Sequence, residues 1–186
     1  NWQMMAMLNI LIAICGACMM YNMEYANNGS QKMDVLPIRT GSLFLGKFMI
    51  TALALAMMIV IETITLAGCA LHWFPAFEPD PGELLGSILF QWAVALPTVM
   101  LMLVIASACK NMWVSLGIGV ILVFTLSIFP QDHIALSLCP FSSPYQTFAM
   151  ASENDRIPLF LGVCAAETAV FGFMELLYNK IRRCTE

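Results

Sequence analysis

The stretch "NMEYANNGSQKMDVLPIRTGSLFLGK", residues 22–47, separates two runs apolar enough to sit in lipid. A turn between two spanning helices needs only a few residues, yet here about two dozen intervene. They include Glu24, the pair Gly29-Ser30, the break Leu36-Pro37, and the cations Lys32, Arg39 and Lys47. Reading this stretch as a polar connector makes its flanks two separate helices and sets the pattern for the rest of the chain.

The connector also carries signals of its own. Asn28 or Ser30 can cap a short helix whose apolar residues Met33 and Leu36, three apart, share one face. Pro37 disfavours helical geometry at Leu36 and ends that helix. Thr40 or Ser42 then opens the next apolar run, with Lys47 near its interface. The expected product is a helix of one to two turns with a small apolar patch, a shape suited to docking a protein.

Composition agrees with a membrane environment. Sixty per cent of the residues are hydrophobic, 11% are charged, and the mean hydropathy is +0.81. Soluble domains carry about 25% charged residues, so this chain cannot coat a water-exposed surface. The net charge of −4 says little about partners, because the distribution of charge across a membrane matters more than the sum; no nucleic-acid partner is expected.

A span requires about 20 apolar residues. Five stretches qualify, at about 4–23, 43–71, 84–109, 113–129 and 158–178. The predicted fold is therefore an all-α, polytopic membrane helix bundle, a single transmembrane domain over residues 1–186. It has a connecting loop at 24–42 and two loops on the opposite side, at 72–83 and 130–157. Pro97 interrupts the third span and is expected to kink it. Within 130–157, the apolar part is broken by Pro140 and Pro144, so we expect short re-entrant helices shielded by protein.

Cations set the orientation. If 24–47, the Lys110 turn and the C-terminus are cytoplasmic, that side holds Lys32, Arg39, Lys47, Lys110, Lys180, Arg182 and Arg183, against only Arg156 opposite. The loops with Glu78, Asp80, Glu83, Asp132, Glu153 and Asp155 then lie outside. Asn1 also falls outside, and no charged n-region precedes the first run, so a further span upstream of Asn1 is expected.

Other residue types suggest little chemistry. Seven cysteines, an odd number, lie mostly within or beside apolar runs and read as packing, including the pair Cys15 and Cys18. His72 and His133 belong to the outer loops, and no phosphate loop, zinc-protease motif or nucleophile elbow occurs. No metal site, bound cofactor or catalytic residue is expected.

Three carboxylates fall inside apolar runs: Glu62, Glu167 and Glu175. A charge at mid-bilayer costs about 2.5–3.5 kcal/mol, so each needs a neighbouring helix, a water-filled cavity or a proton. Helical rise places Glu62 roughly 22 Å from Lys47, and Glu167 roughly 13 Å from Pro158. The favoured reading is a hydrogen bond to a neighbouring helix, with snorkelling open to Glu175; the alternative is a polar lining or proton-coupled site.

The order Glu24, Gly29-Ser30, Lys32, Leu36-Pro37, Arg39, Lys47 resembles the loop after the second span in type-2 ATP-binding-cassette (ABC) exporter permeases, the lantibiotic-immunity and bacitracin-resistance type above all. The five spans are similar to the family's second to sixth, and the segment before the last span resembles its re-entrant helices. The resemblance implies a non-catalytic permease of the bacterial cytoplasmic membrane, paired with a second permease subunit, with ATP and Mg²⁺ held by separate ATPase subunits. Those subunits would dock at Met33 and Leu36 through polar contacts with Glu24, Lys32 and Arg39. The implied cargo is an amphipathic compound such as a peptide antibiotic. A non-transporting assembly or sensor subunit is the alternative. An intramembrane enzyme ranks last, for want of a nucleophile–base pair.

Overall fold

Helix α1 (Trp2–Ala26) carries the first apolar run, and α2 (Thr40–Trp73) the second. They are followed by α3 (Pro81–Ala108), α4 (Met112–Ile128), a short 3₁₀ turn at Ser143–Tyr145, α5 (Phe148–Glu153) and α6 (Ile157–Thr185). The structure, a computed structural model, describes residues 2–26, 40–73, 80–109, 111–128, 137–153 and 156–185. Among these there is no strand, as expected for an all-α bundle.

Helix ends follow local chemistry. Asp80 caps α3: its Oδ1 accepts the Gly82 N–H at 3.1 Å, Pro81 fills the first turn where no donor is needed, and Glu83 faces the positive end of the dipole. Asn111 caps α4 by accepting the Trp113 N–H at 3.0 Å. Both helices flanking the polar connector run further than their apolar cores. Residues 24–26 and 40–42, expected in the loop, are helical, because polar residues near a membrane surface continue a helix that lipid has already nucleated.

Four helices (α1, α2, α3 and α6) are long and apolar enough to cross a membrane, and α4, at 17 residues, is at the short limit. Their outward faces carry Met4, Leu8, Ile12, Leu53, Met57, Ile61, Ile64 and others, all exposed. In water such a surface would aggregate; in hydrocarbon it is the surface that matches the solvent.

Helix α3 is the centre of the bundle, packing on α1, α2, α4 and α6. Its Met102 and Leu103 are fully buried among Ile10, Ile14 and Ala17 of α1, Ile59 of α2 and Val123 of α4, while its Val94 is buried in a second cluster with Phe160 and Cys164 of α6. Gly119 makes the α1–α4 approach possible: a Cβ there would lie 2.8 Å from Ile14 Cγ2 and 3.0 Å from Met102 Sδ.

The segment between α4 and α6 folds back into the bundle. Phe141, Ser142, Ser143 and Tyr145 are buried, and the turn touches both α1 and α3. This is a re-entrant arrangement, and protein shields its broken backbone. Helix α3 continues unbroken through Pro97.

Candidate functional site

One end of the bundle gathers the polar residues of four helices. Near the end of α1, Tyr21 and Tyr25 stack with ring centres 6.3 Å apart, since residues four apart share a helix face. Lys47, two turns into α2, pairs with the Glu24 carboxylate and also lies 3.7 Å from the centre of the Tyr21 ring. The two charged side chains are 17% and 18% exposed, so solvent screens their attraction weakly. The ring face adds a cation–π contact to the ion pair.

Tyr25 Oη donates to the Ser107 carbonyl at 2.7 Å, tying α1 to the last turn of α3. Glu175 of α6, 1% exposed, lies within electrostatic reach of Tyr21. Glu175 is thus enclosed by the bundle at this end.

Glu62 accepts a hydrogen bond from the Asn9 amide, an α2-to-α1 contact deep in the bundle. Glu167 differs: it is half-buried, and one carboxylate oxygen is enclosed with no hydrogen-bond partner among the described residues. Cys18 accepts from Ser115 Oγ at 3.3 Å while Cys15 is exposed, so the two thiols face different surroundings. Among the described residues no three His, Cys, Asp or Glu side chains converge.

Beside the polar end runs an apolar groove of about 590 Å³ between α2, α3 and α6. Leu45, Ala93, Met100, Ala169, Gly172 and Phe173 are among its walls. Its one hydroxyl, on Thr168, donates to the Cys164 carbonyl at 2.7 Å and is satisfied within α6. The groove can therefore receive hydrocarbon but offers little to a polar group.

Of the coupling residues expected from sequence, Glu24 is placed at the polar end. Gly29, Ser30, Lys32, Met33, Leu36, Pro37 and Arg39, with the short helix they are expected to form, lie outside the described residues. Sequence reasoning missed Asn9, Tyr21, Tyr25 and Ser107. Asn9 carried a signal, being an amide inside an apolar run; the tyrosines carried none, since an interfacial tyrosine usually needs no partner in the protein.

The sequence profile of a family described as "ABC-2 family transporter protein" matches residues 1–126. No curated protein and no solved structure matches the chain.

Proposed function

The chain belongs to the ABC-2 transporter family, and on that premise we propose that it expels an amphipathic compound, a peptide antibiotic by preference, as part of an immunity or resistance exporter. Membership makes it a multi-pass permease subunit of an ABC transporter, of a kind that is generally non-catalytic and works with ABC ATPase subunits. The match over residues 1–126 is the observation that carries the reading.

In this reading ATP and Mg²⁺ bind the partner ATPase. Its closure pushes on a short helix within residues 27–39, where Met33 and Leu36 form the apolar knob and Glu24, Gly29, Ser30, Lys32, Pro37 and Arg39 shape and charge the contact. Two permease subunits enclose the path, and the C-terminus is cytoplasmic, following the cation asymmetry. The apolar groove supports a cargo drawn from the membrane, because hydrocarbon is what its walls can solvate.

The test is a Met33→Asp, Leu36→Asp double variant, co-expressed with its ATPase. Loss of co-purification and of substrate-stimulated ATP hydrolysis is expected, with membrane insertion unchanged. Full retention of both would refute docking at this segment. Stable insertion with no ATPase partner in the parent would favour the assembly or sensor reading.

A further inference from the structure

Residues 27–39 leave α1 at its end and rejoin the chain at the start of α2. Just inside that connection, the Lys47 ammonium joins the two helices by holding two groups of α1, the Glu24 carboxylate and the Tyr21 ring. We propose that Tyr21, Glu24 and Lys47 form a latch that holds the ends of α1 and α2 together at rest and must open before the connection can move the bundle. This rests on the reading of residues 27–39 as the segment an ATPase pushes.

Three observations support a latch over a permanent strut. First, Tyr21 and Glu24 are three residues apart, so both face the same approach and one ammonium can meet both. Second, the pair is mostly buried but keeps some exposure. It is screened too little to be weak, and is near enough to water that both charges can be rehydrated on separation; a fully enclosed pair would leave a bare charge.

Third, the turn of α2 that carries Lys47 lies beside open space. Tyr25 fastens α1 to the α3 backbone at Ser107 on one side of the latch. On the other side, α2 borders the apolar groove through Leu45, two residues before Lys47. The groove, about 590 Å³, gives this turn of α2 room to shift between its holds at Gly41, which packs on Leu176 of α6, and at Ala52, whose carbonyl accepts the Trp92 Nε1–H at 2.9 Å. One turn beyond Lys47, Thr51 Oγ1 lies 3.7 Å from Met20 Sδ, so these two positions report the spacing of the helices.

The experiment uses the full chain with Met20→Cys and Thr51→Cys, treated with a short bifunctional thiol reagent; each single-cysteine variant subtracts reaction with native thiols. We expect efficient cross-linking in this parent. Lys47→Gln should lower the yield about fivefold or more, and Lys47→Arg, which keeps the cation for both contacts, should restore most of it. Glu24→Gln leaves the ammonium on the ring alone and should fall between; it also serves if Lys47→Gln does not fold.

Equal yields in the parent and both neutral variants overturn the latch, as does failure of Lys47→Arg to exceed Lys47→Gln. A second arm adds the ATPase subunit with a non-hydrolysable ATP analogue, which should lower the parent yield and leave that of Lys47→Gln low. If nucleotide changes nothing in the parent, the coupling role of residues 27–39 fails, and the latch is judged on its variants alone.

Discussion

Asn9 and Glu62 each break an apolar run and answer one another across the α1–α2 contact. Placed separately, either would oppose insertion: an unpaired amide or carboxylate in hydrocarbon loses its water without replacement. Interhelical hydrogen bonds in membranes contribute about 0.6 kcal/mol on average, because unfolded helices in lipid also find partners. Asn9→Leu leaves the carboxylate without its donor, so a loss of about 1 kcal/mol is expected in reversible unfolding in mixed micelles. Glu62→Gln keeps an acceptor for Asn9 and should cost less than Asn9→Leu. An Asn9→Leu variant as stable as the parent would show that Glu62 finds another partner.

Helix α3 runs through a proline and meets the re-entrant segment beside it. Pro97 has no N–H, so the Ala93 carbonyl loses its helical donor. The re-entrant segment packs against this part of α3. Thr98 Oγ1 donates to the Pro140 carbonyl, and Ser143 Oγ donates to the Val94 carbonyl at 3.0 Å and lies 3.3 Å from that of Pro140. Tyr145 Oη reaches the Val123 carbonyl of α4 at 3.4 Å. Thr98 and Ser143 thus share an acceptor, and their substitutions should not add independently. Thr98→Val and Ser143→Ala are each expected to cost about 1 kcal/mol, and a double-mutant cycle should give a coupling of about 0.5 kcal/mol or more. Strict additivity would mean that the two hydroxyls hold the segment independently.

At the scale of the whole molecule, the helix order places the end of α1, the start of α2, the end of α3 and the Glu175 region of α6 together. The Asp80 cap of α3 lies at the far end of that helix. The expectation from cation counting is that the first of these ends faces the cytoplasm. Accordingly, a cysteine replacing the exposed Glu83 should react with a membrane-impermeant maleimide in intact cells, after the parent's own labelling is subtracted. One replacing Lys110 should react only after permeabilisation. The reverse pattern inverts the topology.

The apolar runs alone determined that the chain is a helical membrane bundle, because lipid leaves the backbone no other way to satisfy its hydrogen bonds than helices or a closed barrel. The proline-broken segment before α6 was legible in the same way, whereas the cap at Asp80, read from sequence only as a loop acid, and the extension of α6 to Thr185, beyond the expected end at 178, were not. What stayed hidden was pairing. Nothing in the spacing of Glu24 and Lys47, or of Asn9 and Glu62, says that they meet, since which faces adjoin depends on how every helix packs around α3. Burial of Glu175 was likewise decided by that packing: the same residue on a lipid-facing side of α6 would have reached for the surface. Sequence settles what each segment needs from its solvent, while the tertiary structure chooses which polar groups satisfy one another, because that choice is made by close packing between residues far apart in the chain.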